Sequence, residues 1–373
     1  MKLFKSLLVA PATLGLLAPM SATANEVTIN DFNPAEELAI TNSRVDGLEA
    51  RMNNFEAGSF SETTTASFSA DFAIGAVDGK GVTSTETDGD ETLQAVYGFQ
   101  IDLNTSFTGE DSLDISIDAG NADALALTEF DGNSTADRLE VDGVSYTFPV
   151  GDKTTVIVGD NTDGSALFTT ACVYGGPSNT LDDCGNVNAG ITNGGAMAGA
   201  AYDFGNGFTA AVGYAGPEGG IMTEESLDAT GFNAAYTGDN YGVSITYGTL
   251  ETSTTAEDTF TAFNGYYTPE GFPSISIGYE IGEDGSVTSA ADSLESFFLG
   301  LTWDEVGAGS AGIAMGTKTP TVEDTDEQYM YEAYYSYPIN DGMTITPLVF
   351  IKEVSTEGAD DETGIMVKTS FSF

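Results

Sequence analysis

From about Phe60 onward the chain alternates apolar and polar residues with a period of two, in runs broken by Gly, Asn and Asp. In Tyr241-Gly242-Val243-Ser244-Ile245-Thr246-Tyr247 the odd positions are apolar. Ile275, Ile277, Tyr279 and Ile281 repeat this, with Ser274, Ser276, Gly278 and Glu280 between them. Tyr329, Tyr331, Ala333, Tyr335 and Tyr337 form a third such face. Sixteen strands are predicted, near 62–76, 91–107, 111–119, 138–149, 154–160, 196–205, 207–216, 229–238, 241–250, 259–268, 273–281, 294–304, 309–317, 328–338, 342–352 and 362–373. The last of them places Ile365, Val367, Thr369, Phe371 and Phe373 on one face. Met366, Lys368, Ser370 and Ser372 share the other.

The connections alternate in length. Thr108-Gly109-Glu110, Gly151-Asp152-Lys153, Gly205-Asn206-Gly207, Gly238-Asp239-Asn240 and Asn340-Asp341-Gly342 carry the residues that tight hairpins need. Between them lie longer, acidic stretches near 77–90, 120–137, 161–195, 217–228, 251–258, 282–293, 318–327 and 353–361. Short turns on one side and long loops on the other, with two-faced strands, fit a wall between lipid and water. The expected fold is therefore all-β: a single transmembrane antiparallel up-and-down barrel of about 16 strands. An even count returns the chain to its starting side and puts the long loops outside the cell. A closing strand that ends on Phe371 and Phe373 is the pattern that bacterial outer-membrane assembly machinery reads.

The start of the chain reads as an export signal: Lys2 and Lys5, then an apolar stretch from Leu7 to Ala18, then Ala22-Thr23-Ala24 as a cleavage site. The organisation expected is a signal peptide over 1–24, a periplasmic helical stem over 25–58, and the barrel over 59–373. Leu38, Val45, Leu48, Met52 and Phe55 follow heptad spacing in the stem. Two heptads are too few for a stable isolated helix. They suit a short bundle between neighbouring barrels, a single helix folded onto the barrel mouth, or a plug fragment.

Composition sharpens this. Glycine is abundant at 45 residues, while charged residues make up only 18%, fewer than the surface of a soluble protein of this polarity usually carries. There are 58 acidic residues against 10 basic ones, and loss of Lys2 and Lys5 takes the net charge from -48 to -50. Such a field repels nucleic acid and attracts cations. Histidine is absent, which removes His-dependent triads, His general bases and His-ligated zinc. No cofactor is expected. Cys172 and Cys184, an even pair in an exported chain, read as a disulfide clipping a loop, with two free thiols as the other reading.

Several turn-centred stretches carry a resemblance. Asn104–Leu113 followed by Ala119-Gly120-Asn121, Tyr146–Lys153, Tyr236–Val243 and Tyr337–Pro347 resemble hairpins of cyanobacterial outer-membrane porins. The chain is similar to the iron-uptake and carbohydrate-selective (OprB-like) porins over about 36–373. The resemblance implies a homotrimer in outer-membrane lipid, passing small hydrophilic solutes. It also implies an N-terminal S-layer-homology domain, for which residues 25–55 are too few, so wall anchoring is in doubt. In general porins the loop after the fifth strand narrows the lumen. By that likeness Asn161–Gly195, which holds both cysteines, is the expected constriction; the other reading is an ordinary external loop stiffened by a disulfide. Where the family's third strand carries basic residues on its lumen face, this chain has Asp114 and Asp118, with Asp102 on the neighbouring strand.

The function expected is a passive, water-filled channel, not an enzyme, with cations favoured and metal ions or sugars as candidate solutes. The expected pore-lining carboxylates are Asp102, Asp114, Asp118, Asp160, Asp163, Asp182 and Asp183. Each could instead be a solvated surface charge. The alternative is a soluble acidic surface-layer or adhesive β protein, with Asp88-Gly89-Asp90-Glu91 and Asp360-Asp361-Glu362 as partial calcium motifs.

Overall fold

A computed structural model describes residues 64–79, 92–122, 129–130, 132–192, 194–223, 227–254, 256–285, 293–322, 326–354 and 360–373. The signal peptide and helical stem expected from the sequence lie outside these residues, as does the Asp88–Glu91 stretch. The strands are β1 (Thr64–Asp78), β2 (Gln94–Thr105), β3 (Ser112–Gly120), β4 (Glu140–Val150), β5 (Thr154–Asp160), β6 (Ala196–Gly205), β7 (Phe208–Gly216), β8 (Ala229–Thr237) and β9 (Tyr241–Ser253). They continue as β10 (Ala256–Tyr267), β11 (Ser274–Glu283), β12 (Ser293–Val306), β13 (Gly309–Thr317), β14 (Thr321–Val322), β15 (Tyr329–Asn340), β16 (Met343–Lys352) and β17 (Glu362–Ser372). Sixteen of them form the wall. The two-residue β14 is a short addition in the β13–β15 connection, paired to the end of β12.

Each wall strand pairs antiparallel with its neighbours in sequence, β13 pairing directly with β15, and β17 pairs back to β1. The ring is closed. Phe68 and Phe373 exchange both backbone hydrogen bonds, at 2.9 and 3.0 Å. Closure leaves no open edge, the condition for a sheet to sit in hydrocarbon.

The tight turns lie at the end that holds Phe373, except the β9–β10 connection. Left-handed backbone at Gly109, Gly151, Asn206 and Gly307 allows them. The β2–β3 turn is held by Asp111, which accepts from the Ser106 and Thr108 hydroxyls, the Phe107 and Thr108 amides and, at 2.6 Å, the Tyr146 hydroxyl. The Tyr146 bond, with the others, holds its carboxyl well below the usual range. The long loops lie at the other end, with one correction. The expected loop at 251–258 is mostly sheet: β9 runs to Ser253, β10 begins at Ala256, and a bulge at Ala256/Glu257 absorbs the register shift.

Burial along the strands is inverted relative to a soluble protein. In β11, Ile275, Ile277, Tyr279 and Ile281 are exposed, while Ser274, Ser276 and Glu280 are buried. In β9, Tyr241, Val243, Ile245 and Tyr247 are exposed, and Ser244 and Thr246 are buried. Large apolar side chains that face outward all round a closed sheet suit lipid. Aromatic pairs ring the tight-turn end: Tyr202–Phe204 at 4.7 Å, Phe208–Tyr236 at 4.6 Å and Phe68–Phe373 at 5.8 Å. Rings with one apolar body and one polar tip favour such an interface.

The inward face is not uniformly polar. Met330, Leu348, Phe350 and Met366 point inward from β15, β16 and β17 and are buried. They pack with Ala73, Val77, Val96 and Phe298 from the wall, and with Phe130, Tyr174, Leu181 and Cys184 from two loops. The barrel thus holds a small hydrophobic core inside its own lumen.

Candidate functional site

Residues 161–192, after β5, cross the interior and lie against the inward faces of β8 to β15. The backbone N–H of Thr169 bonds Asn233 Oδ1 at 2.9 Å, that of Ala171 bonds Ser244 Oγ at 2.9 Å, and that of Val173 bonds Ser276 Oγ at 3.0 Å. Alternate amides of the loop therefore meet polar side chains on β8, β9 and β11. Tyr174 donates its hydroxyl to Glu332 on β15. Asn188 and Ala189 donate backbone N–H to Glu280 on β11 at 2.9 and 2.8 Å. Where the loop backbone touches the wall, the wall has glycine: a Cβ on Gly278 would run into the Cys184 carbonyl, and one on Gly248 would press on Ala189. Cys172 and Cys184 are joined, closing the stretch that carries the Val173, Tyr174 and Cys184 contacts.

A second segment also enters the lumen. Glu129 and Phe130, from the β3–β4 connection, are each about 1% exposed. Glu129 pairs with Lys352 of β16 and accepts from Thr180 through its N–H at 3.0 Å and its hydroxyl at 2.8 Å. It joins the crossing loop to the far wall.

With the loop seated on β8–β15, the open space lies on the β1–β4 side. One cavity of about 300 Å³ separates residues 176–182 from the inner faces of β1, β2 and β17, with Asp71, Gln100, Asp182 and Lys368 on its walls. Another, of about 370 Å³, is bordered by Asp114, Ser116, Asp142 and Asp163. A third, of about 310 Å³, lies beside the disulfide, with Asp182 and Asp183 on its wall.

The seven carboxylates expected from the sequence distribute as follows. Asp102, Asp114 and Asp118 are on the inward faces of β2 and β3. Asp102 accepts from Gln100 and Ser116 at 2.7 Å, and Asp114 from Asn104 and Ser112 at 2.6 Å. Asp163, Asp182 and Asp183 are in the crossing loop. Asp183 accepts the Gly185 N–H at 2.8 Å. Burial pushes its carboxyl up to about 7, the Gly185 bond opposing and the charges of Asp182 and Glu280 adding to the rise. Asp163 is also raised, by burial and then by Asp142. Asp160 stands apart: it ends β5 on the outward face, in step with exposed Val158. Asp71, Asp142, Glu129, Glu280, Glu332, Lys352 and Lys368 are further inward or lumen residues that sequence reasoning did not single out. Glu280 and Lys368 were visible there as charges on the polar face of their strands. Among the described residues no group of three or more His, Cys, Asp or Glu is placed to hold a metal ion.

No family model matches the chain. An uncharacterized protein of Nostoc sp. (strain PCC 7120) is 30% identical over 161 residues, 39% of this chain and 27% of that protein. The match thus spans about a quarter of that relative's length. Among solved structures, OprB of Pseudomonas putida at high pH has a TM-score of 0.60 and 10% identity, covering 83% of this chain and 94% of that one. A mutant of Rh. blastica porin has a TM-score of 0.56 and 14% identity, covering 83% and 100%. A loop L8 deletion mutant of OmpT, an outer-membrane protein of Vibrio cholerae, has a TM-score of 0.56 and 11% identity, covering 84% and 100%. At these identities the likeness is one of fold: the chain has the sixteen-stranded barrel of porins.

Proposed function

We propose that the chain is an outer-membrane porin that passes small hydrophilic solutes and ions by diffusion and favours cations. The observation that carries the reading is the two-sided barrel: exposed apolar side chains outside, and inside a loop that fills one half of the lumen and leaves an acid-lined space along the other. A barrel of this strand number is too wide for wall side chains alone to fill. Fixed carboxylates beside a narrow aqueous path raise local cation concentration and lower that of anions. The outward apolar face weighs against a soluble surface protein. Assignment to the cyanobacterial porins rests on the turn motifs and is supported by the Nostoc match. A homotrimer in outer-membrane lipid, and insertion by the barrel assembly machinery through the strand ending in Phe371 and Phe373, rest on the same resemblance.

Purified protein in planar bilayers under a salt gradient tests this. The expected result is discrete conductance steps with a cation-favouring reversal potential. Steps with anion preference would overturn the acidic-path part of the reading. Absence of steps from folded, inserted protein would overturn the channel itself.

A further inference from the structure

The wall strands contain two basic residues, Lys352 on β16 and Lys368 on β17. Both point inward, in step with buried Leu348 and Phe350 on β16 and Met366 on β17. Left bare, they would set two positive charges on the lumen wall. Neither is bare, and both are met by consecutive residues of one loop. Glu129 pairs with Lys352, which bonds across to this loop rather than to Glu362, its register neighbour on β17. The ring of Phe130 lies 5.1 Å from Lys368 Nζ, whose other side is held by Asp71 at 3.2 Å. A cation over an aromatic face and a cation in a buried carboxylate pair both lose much of their field toward solvent.

We propose that Glu129 and Phe130 form a cap that sets ion selectivity by hiding Lys352 from the permeation path and covering one face of Lys368, which otherwise meets the cavity beside its partner Asp71. The cap rests on the channel reading above. Its chemistry is specific. Glu129 cancels Lys352 at one point, while its bonds to Thr180 fix the crossing loop beside it. Phe130, about 1% exposed, excludes water from one face of Lys368. The acids of β2 and β3 then face a path with little opposing charge.

The test is the cation-to-anion permeability ratio in bilayers for the native chain, Glu129→Gln, the double variant Glu129→Gln/Lys352→Met, and Phe130→Ala. A unit charge about 8 Å from an ion in water changes that ion's local concentration roughly twofold. Uncovering Lys352 lowers cations and raises anions together, so Glu129→Gln is expected to cut the ratio by about fourfold. The double variant should return to within about twofold of the native ratio. Both variants lose the charged anchor for Thr180, so both should show the same change in conductance. A loop role alone would therefore move conductance in both and selectivity in neither. Phe130→Ala breaks no buried charge pair and is expected to lower the ratio by about twofold, which keeps the idea testable if Glu129→Gln does not fold. A native ratio in folded Glu129→Gln, or in Phe130→Ala where only that variant folds, overturns the cap. So does a double variant displaced as far as the single. If the native chain itself gives no conductance steps, it is the channel reading that falls.

Discussion

Glu280→Ala is the sharpest probe of the seat that holds the crossing loop. Glu280 is about 2% exposed, and its carboxylate takes the Ala189 N–H at 2.8 Å, the Asn188 N–H at 2.9 Å and the Asn188 side-chain amide at 3.0 Å. Ala189 is fully buried, so its N–H has no route to water once the acceptor is gone. A buried donor left unsatisfied costs about 1–3 kcal/mol, and the half-buried Asn188 donors add less each. The sum is about 2–4 kcal/mol, roughly a 30- to 1,000-fold rise in local opening of the loop. The ladder bonds of β11 to β10 and β12 are backbone bonds and stay in place. Hydrogen exchange on the detergent-solubilised protein should therefore quicken by that factor in peptides covering 186–190, with the wall peptides unchanged. Glu280→Gln keeps one acceptor oxygen and should show a smaller effect. Unchanged exchange at 188–189 in a folded barrel would refute the claim that this carboxylate anchors the loop.

Neutralising Asp102, Asp114 and Asp118 together as Asn keeps side-chain size and removes three inward charges; the cation-to-anion permeability ratio should fall severalfold, with single-channel conductance in high salt little changed. Asp183 gains its charge near pH 7, so cation preference should rise between about pH 6 and pH 8 and stay flat in Asp183→Asn. Because burial raises this carboxyl above its unfolded value, its contribution to loop stability is full below the unfolded pKa and is lost as pH rises from there through about 7, so exchange in 181–185 should quicken from about pH 4 to pH 7 and level off above. Gly278→Val puts a branched side chain where the Cys184 carbonyl lies, and should widen the conductance distribution without unfolding the barrel. Reduction of Cys172–Cys184 releases a closed segment worth roughly 3 kcal/mol of chain constraint, and should raise channel noise reversibly.

The wall was legible because each strand carries its own signal. β5, β6 and β13 run over 154–160, 196–205 and 309–317, as the alternation predicts. The sequence also marked residues 161–195 as the longest connection and paired its cysteines. What it hid is contact between segments far apart in the chain. Leu348-Val349-Phe350-Ile351 is apolar on both faces, and Met330 and Met366 break the polar side of their strands. A lipid-and-water wall has no use for an apolar inner face, so these residues were a readable sign that protein, not water, covers β15–β17. Asp160 was readable too: counting in twos from Val156 and Val158 places it outward. The 251–258 stretch misled because Glu251, Thr252, Ser253 and Thr254 are polar turn formers by type, whereas the extended β9–β10 hairpin needs no apolar face once it is exposed.

A net charge of -48 overstates the field inside the barrel. Three lumen glutamates, Glu129, Glu280 and Glu332, are between 1% and 4% exposed: Glu129 is met by Lys352 and Thr180, Glu280 by the Asn188 and Ala189 amides, and Glu332 at one of its two oxygens by the Tyr174 hydroxyl. An unmet carboxylate at those depths would cost several kcal/mol. The crossing loop is thus bound by the same groups to which it donates hydrogen bonds, and its position follows from where they lie. They sit on β11, β15 and the β3–β4 connection, so the loop leans that way. Asp102 of β2 and Asp114 of β3 are bonded instead by short wall side chains, Gln100, Asn104, Ser112 and Ser116, which need no covering segment. That difference in partners divides the lumen. Acids that require donors from the loop draw it onto their half, and acids served by their own strands keep the other half open to water and carry the field that ions meet.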